Sequence, residues 1–147
     1  MEAIEALLTR RSIRSFTDQA VEPEKEEALL RAAMHAPSAH NSQDWQFVMV
    51  RDEKRREALS TVLPYYGMMK SAPLCILVCA EPAQQKSENL EFYIQDCAAA
   101  TQNLLLAAHA LGLGAVWCGV HPDTSAKAKV RELLNVPETI VPFALVS

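Results

Sequence analysis

Residues 90–119 read LEFYIQDCAAATQNLLLAAHALGLGAVWCG, and the predicted fold is built around them. Leu90–Leu111 predicts the longest helix of the chain, with apolar residues around most of its circumference. Such a helix is expected to be buried on most sides. Gly112 and Gly114 are expected to end it, and Ala115–Cys118 is expected to form a strand directly afterwards. The stretch therefore predicts a buried central helix that leads at once into a sheet.

Shorter segments of helical and strand character alternate on both sides of this helix. Four further helices are predicted: Met1–Arg10, Pro23–Ala36, Glu53–Leu63 and a helix that Thr124 or Ser125 caps and that runs to Asn135. Three further strands are predicted: Trp45–Arg51, Leu74–Ala80 and Ile140–Val146, the last broken by Pro142. The Leu74–Ala80 run is apolar throughout, which is typical of a central strand. These elements indicate one α+β or α/β domain over residues 1–147.

The apolar surface of the Leu90–Leu111 helix can be buried in two ways. A single domain of 147 residues covers it, or the helix of a second copy covers what one domain leaves exposed. The sequence leaves both arrangements open.

The composition excludes several classes of protein. Half of the residues are apolar and 22% are charged, which excludes a disordered or collagen-like chain. The net charge of −4 argues against broad binding of nucleic acid. A signal-peptide pattern and a membrane-spanning apolar run are both lacking, so a cytoplasmic location is expected. The four cysteines lack metal-site spacing, and we expect reduced thiols packed as small apolar side chains and no metal.

Arginine is concentrated in the segment RRSIR, residues 10–14. Three guanidinium groups and a hydroxyl within five residues are typical of a local phosphate site, because the planar guanidinium can hold two phosphate oxygens at once. A solvated, charged corner after a helix is the alternative, and it is favoured when this segment is considered alone, since surface charge clusters are common.

A polar loop with a proline at its start is expected in APSAHNSQDWQF, residues 36–47. Ser38, Asn41 and Gln43 carry donors and acceptors that can meet the edge of a planar heterocycle. The alternative is that such side chains satisfy their own backbone. His40 is either a general acid or a solvated loop residue, and the second interpretation is favoured because no acid or metal partner is near in sequence.

The segment Leu111–Gly119 (LGLGAVWCG) is rich in glycine. The glycines follow a helix and open a strand, whereas the dinucleotide-binding fingerprint follows a strand and opens a helix. Gly119 would let the backbone approach a ligand closely. Cys118 is interpreted as a packing residue, since no histidine or cation is adjacent in sequence.

Together and in this order, RRSIRSF, APSAHNSQDWQF, DCAAATQNLLLAAHAL and GLGAVWCG resemble the FMN-dependent nitroreductase family, from Arg10 to Ser147. The resemblance implies an α+β, three-layer sandwich with a mostly antiparallel sheet of four to five strands. It also implies an intertwined homodimer with FMN at the subunit interface. Family members pass a hydride from NADH or NADPH to the flavin and then reduce a small-molecule electron acceptor such as a nitroaromatic, a quinone or a flavin.

The same resemblance implies roles for individual residues and assigns no catalytic side chain, because the flavin carries the chemistry. The residues that would hold the FMN phosphate and ribityl chain are Arg10, Arg11, Ser12 and Arg14. Those that would reach the flavin from the partner subunit are Pro37, Ser38, Ala39 and Asn41, with Gln43 as a weaker member. Those that would line the isoalloxazine are Trp117, Cys118 and Gly119.

The sequence departs from the family pattern in three places. His40 stands where many relatives carry a small residue, and it would narrow or polarise the cleft over the flavin. Asp44 stands where proline is usual, and a carboxylate there would weaken FMN binding unless it points away or pairs, for example with an arginine. The pattern also continues past the position of Ser147, so a C-terminal tail is either absent or outside these residues.

Other functions remain open at this stage. A same-fold flavoenzyme with different chemistry, such as a dehydrogenase or dehalogenase, would use His40 or Tyr65–Met69 to shape its pocket, although Tyr65–Met69 is better interpreted as core. A non-catalytic flavin-binding module is favoured by Asp44. Binding of nucleic acid through residues 10–14 is disfavoured by the acidic net charge, and a membrane partner is not expected.

Overall fold

Four antiparallel strands form one sheet in the computed structural model, which describes residues 1–86 and 91–147. They are β1 (Trp45–Val50), β2 (Cys75–Ala80), β3 (Trp117–Gly119) and β4 (Val141–Val146). Their order in the sheet is β1-β2-β4-β3, and every neighbouring pair is antiparallel. Every residue of β2 is buried, so the apolar run in the sequence correctly predicted a central strand.

Helices cover both faces of this sheet. In the described residues they are α1 (Ala3–Thr9), α2 (Pro23–Met34), α3 (Glu53–Ser60), α4 (Phe92–Ala110) and α5 (Thr124–Leu134), with 3-10 helices at Ala39–Asn41, Pro64–Lys70 and Pro82–Gln84. One face of β2 packs with α2 and α4 through Ile76 and Val78. The other face packs with α3, α5 and Pro64–Lys70 through Leu77. The predicted three-layer α+β sandwich is therefore confirmed.

The central helix α4 begins at Phe92 and ends at Ala110. The predicted start, Leu90, lies outside the described residues. Gly112 follows with a φ of +75°, a left-handed conformation that glycine adopts without strain. No helix in residues 1–86 and 91–147 is long and apolar enough to cross a bilayer.

Two local expectations were wrong. The cap of α5 is Asp123, whose carboxylate accepts from the Ala126 backbone N–H at 2.8 Å, rather than Thr124 or Ser125. Asp123 has the extended backbone that this geometry needs, and Thr124 already lies in the helix. Strand β4 is continuous through Pro142, because the ladder with β2 shifts register between Val78 and Cys79.

The apolar face of α1 is not buried against the rest of the chain. Ile4, Leu7 and Leu8 are 67%, 53% and 70% exposed, and only Ala6 of this helix is buried. By contrast, Tyr66 and Met69 of Pro64–Lys70 are completely buried, as the core interpretation of that segment predicted, although Tyr65 is 56% exposed. An unpartnered apolar surface therefore lies at the N-terminus.

Candidate functional site

Two of the three motifs singled out in the sequence meet in space. Ser12 pairs with Ala115 in an isolated parallel bridge, and the Ile13 N–H donates to the Ala115 carbonyl at 3.0 Å. A Cβ on Gly114 would lie 2.8 Å from Cγ2 of Ile13, closer than side-chain atoms approach. The glycine at 114 therefore allows the arginine segment to lie directly against the chain that enters β3.

Arg10 carries a buried donor without an acceptor. Its Nη1 atom is buried and has no hydrogen-bond partner among the described residues. A cavity of about 170 Å³ lies beside it, lined by Thr9, Arg10, Arg11, Ile13, Leu105, His109, Leu113 and Ala115. A buried guanidinium nitrogen without a partner is unfavourable on its own, and an anion in this cavity would satisfy it.

The neighbours of Arg10 use donors of their own to hold the corner in place. The Thr9 hydroxyl donates to the Glu5 carbonyl at 2.6 Å, so the ring Nε2–H of His109 donates to Thr9 Oγ1 at 2.8 Å. The exposed Arg11 side chain folds back, and its Nη1 donates to the carbonyls of Leu8 and Arg10. The corner is thus held by hydrogen bonds to the backbone, and its positive charge is uncompensated by a carboxylate among the described residues.

Strand β3 contributes backbone groups and one exposed aromatic ring to this region. Trp117 is exposed at the surface, with its ring tilted 6.0 Å from that of Phe143. The Cys118 side chain is buried, and burial raises the pKa of its thiol to about 11, an effect that the charge of Arg14 partly offsets. The thiol is therefore neutral at pH 7, in agreement with the packing interpretation of Cys118. The Gly119 carbonyl accepts a 2.5 Å hydrogen bond from the buried Tyr66 hydroxyl.

The polar loop Pro37–Gln43 has an unusual backbone. His40, Asn41 and Gln43 have φ values of 54°, 51° and 50°, in the left-handed region that non-glycine residues seldom occupy. Ser38 holds this shape, since its Oγ accepts from the Gln43 N–H at 2.9 Å. Residues in such conformations persist only where surrounding contacts over-determine them, and they are concentrated at functional sites.

Residues that the sequence analysis missed anchor this loop to the core. Asp96, on the first turns of α4, accepts from the Ala39 N–H at 2.9 Å through Oδ1. Lys86 donates from Nζ to the His40 carbonyl at 3.2 Å. The signal for Asp96 was a single carboxylate in a mostly apolar helix, because a buried carboxylate requires a polar partner.

Asp44 ends the loop and lies wholly inside the protein. The pKa of Asp44 is raised to about 6. Burial is the largest cause, and the neighbouring carboxyl of Asp96 is the second. Asp44 does not pair with an arginine: the group beside it is another acid, and neither Asp44 oxygen has a hydrogen-bond partner among the described residues.

The loop and the other two motifs form separate parts of one chain. Within residues 1–86 and 91–147, no hydrogen bond joins Pro37–Gln43 to Arg10–Arg14 or to Trp117–Gly119. Pro37, Asn41 and Gln43 are exposed, whereas Ser38 and Ala39 are half-buried. The candidate site therefore has two parts in one chain, an arginine–glycine half and a loop half.

Comparisons with known proteins point to one family. A family model described as the nitroreductase family matches residues 7–64 and 60–147. A "Putative NADH dehydrogenase/NAD(P)H nitroreductase" from Archaeoglobus fulgidus is 44% identical over 146 residues, which cover 99% of this chain and 83% of the relative.

Two solved structures share the fold closely. A "Putative NADH Oxidase" from Clostridium acetobutylicum has a TM-score of 0.92 and 42% identity, covering 97% of this chain and 84% of that one. A "putative nitroreductase in complex with fmn" from Desulfovibrio desulfuricans has a TM-score of 0.84 and 34% identity, covering 98% and 83%. Because the family model matches nearly the whole chain and the three-layer α+β fold is shared with these structures, this chain belongs to the nitroreductase family.

Proposed function

We propose that this protein is an FMN-dependent NAD(P)H oxidoreductase that reduces a nitroaromatic, quinone or flavin-type acceptor and works as a homodimer. The observation that carries the proposal is Arg10, whose buried Nη1 has no partner among the described residues and lies beside a cavity that Arg11 also lines. A phosphate ester is the kind of ligand that such a corner binds. The related structure in complex with FMN supports this choice of ligand.

The charge of the residues in this region and their exposure to solvent both suit the binding of FMN. Arg10, Arg11, Ser12 and Arg14 would hold the phosphate and ribityl chain, because they supply cations and a hydroxyl at one exposed corner of an acidic protein. Trp117 and the backbone of Cys118 and Gly119 would lie along the ring system. FMN, when bound, accepts a hydride from NADH or NADPH and passes reducing equivalents to the second substrate.

The protein's own contribution is to bind and orient. Tyr66 fixes the direction of the Gly119 carbonyl from the core side, so the backbone beside the ring system is rigid. The charge of Arg14 reaches the same strand, where it would favour extra negative charge on a bound group. These interactions require no acid–base pair of side chains.

A second copy of the chain would complete the site. The loop half faces solvent in one chain, and Pro37–Gln43 of a partner would supply the contacts that Arg10–Arg14 and Trp117–Gly119 do not. The exposed Ile4, Leu7 and Leu8 of α1 give a second reason, because a monomer seldom leaves such a cluster in water.

Visible absorption of the purified protein and an FMN titration test the proposal. We expect a yellow protein that bleaches with NADH or NADPH under anaerobic conditions. Arg10→Ala should weaken FMN binding about tenfold to a hundredfold, since a hydrogen bond to a charged group contributes about 1.5–3 kcal/mol.

Arg55→Ala, at an exposed position of α3 outside the motifs, is the matched control and should bind FMN like the wild type. A protein that binds no FMN would overturn the proposal. Bound flavin that neither nicotinamide reduces would favour the non-catalytic flavin-binding module.

A further inference from the structure

We propose that the carboxyl groups of Asp44 and Asp96 share one proton, and that this acid pair is a positioning device for the loop Pro37–Gln43. The effect on cofactor binding rests on the proposed function, whereas the pair itself is a property of the protein without ligand. The inference assigns a role to the carboxylate that stands where the family usually has proline.

The first argument is the hydrogen-bond state of the four carboxyl oxygens. Oδ1 of Asp96 accepts from the Ala39 N–H at 2.9 Å. The other three, both oxygens of Asp44 and Oδ2 of Asp96, are buried and have no partner among the described residues. One proton between the two groups creates a donor and satisfies two of these three oxygens at once.

The second argument is the charge of the pair. Two adjacent buried carboxylates repel each other, and the low-dielectric interior makes each charge unfavourable. No lysine or arginine forms an ion pair with Asp44 or Asp96 in the described residues. A proton is therefore the available means of removing one of the two charges. The raised pKa of Asp44 agrees with this, since burial and the Asp96 carboxyl are its largest causes.

The third argument is the position of the pair at the two ends of the loop. Asp96 holds the backbone of Ala39, just before the left-handed residues His40 and Asn41. Asp44 follows the left-handed Gln43 and directly precedes β1, and its carbonyl accepts from Glu81 N–H at 2.7 Å. A proton between Asp44 and Asp96 ties both loop ends to one point on α4. Its loss would leave two like charges there and loosen the strained backbone between them.

Other titratable groups around the pair are either neutral or engaged elsewhere. On α4, the thiol of Cys97 has a pKa raised by burial and by Asp44, and it donates to the Cys79 carbonyl of β2. Glu81 accepts from the Gln46 amide at 2.9 Å, and Lys86 Nζ donates to the His40 carbonyl. The exposed His40 ring lies edge-on to Phe92. Replacing Asp44 leaves all of these groups in place, so a difference in pH dependence between the wild type and an Asp44 variant reports the pair.

Asp44→Asn tests the pair, because the amide keeps a permanent donor toward Asp96 and removes the titration. In the protein without FMN, we compare the free energy of unfolding of the wild type with that of Asp44→Asn. Relative to the variant, the wild type should lose stability as the pH rises from 5 to 8. The protection of the Ala39 amide against hydrogen exchange should fall with it. Asp18→Asn replaces an exposed carboxylate and should follow the wild type. Identical pH profiles for the wild type and Asp44→Asn would overturn the inference.

FMN titrations extend the test to the site. For each protein, the FMN dissociation constant at pH 8 is divided by that at pH 5. This ratio should be about tenfold larger for the wild type than for Asp44→Asn. A tenfold difference corresponds to a change of one unit in the pKa of the pair when FMN binds. Titration of the FMN phosphate itself cancels in this comparison. Equal ratios would overturn the positioning role. A protein that shows the shared proton but binds no FMN would overturn the proposed function and leave the pair standing.

Infrared spectra of wild-type protein with isotope-labelled aspartate keep the inference testable if Asp44→Asn does not fold. A protonated carboxylic acid band should be present at pH 5 and lost by pH 8. A spectrum without that band at pH 5 would overturn the shared proton.

Discussion

Gly114 and Ile13 are in contact so close that glycine has no substitute: a Cβ at position 114 would lie 2.8 Å from Cγ2 of Ile13. Gly114→Ala should therefore push the arginine segment away from Ala115. We expect a loss of about 1–3 kcal/mol in the free energy of unfolding, as in other overpacked sites, together with weaker FMN binding. Denaturant unfolding and an FMN titration measure the two effects. Gly67→Ala is the control, since a Cβ there has no atom within 4 Å; equal behaviour of the two variants would contradict this account.

Tyr66→Phe should remove the hydrogen bond to the Gly119 carbonyl without disturbing the packing of the ring. A lost hydrogen bond of this kind is worth about 0.5–1.5 kcal/mol, and more if the acceptor is left unsatisfied. We expect lower stability and a higher KM for the electron-accepting substrate, because the backbone along the proposed flavin ring becomes less rigid. Tyr65→Phe, at a neighbouring and largely exposed ring, should leave both unchanged. A Tyr66→Phe protein indistinguishable from the wild type would show that the hydrogen bond has no such role.

Leu8→Glu should affect association rather than folding of one chain. Leu8 is 70% exposed, so a charge there costs little within a single subunit. If a second copy covers α1, the variant should dissociate at protein concentrations at which the wild type is dimeric, and FMN affinity should fall in parallel. Sedimentation velocity over a range of concentrations measures this. Ala128→Glu, an exposed position of α5 with the same change in charge, provides the comparison. A Leu8→Glu dimer as tight as the wild type would place the interface elsewhere.

The four cysteines should be inert in the folded protein. All are buried and free, and burial raises the pKa of Cys75 and Cys79 to about 12 and that of Cys118 to about 11. Raised values leave the thiols protonated at neutral pH, and the thiolate is the reactive form. A thiol reagent at pH 8 should label the native protein far more slowly than the denatured one. Rapid labelling of Cys118 in the native state would contradict the packing interpretation.

The core of this fold could be predicted from sequence because its signals are local. The apolar run of β2 and the mostly apolar α4 fix the middle of the sandwich, and Gly112 marks the end of the helix. The apolar face of α1 was equally visible, but periodicity shows which face is apolar and not what covers it. Adjacent Asp, Thr and Ser can each cap a helix, so the start of α5 depended on the backbone conformation of Asp123.

The site could be predicted only in part for the same reason. The arginines and the glycines carried recognisable chemistry, and the structure brings Ser12 and Ala115 together. The proximity of Asp44 to Asp96 depends on how β1 packs on α4, which local sequence patterns do not encode. The contact of Tyr66 with Gly119 likewise joins segments far apart in the chain.

The order of the sheet also has a consequence for the way the protein is made. β2 lies between β1 and β4, and β4 is the last of the described strands to leave the ribosome. Until residues 141–146 emerge, the edge of β2 that pairs with β4 has no partner. The edge of β3 that joins the sheet is also unpaired. We therefore expect the nascent chain to remain incompletely folded, and to depend on protection from aggregation, until β4 has emerged and closes the sheet.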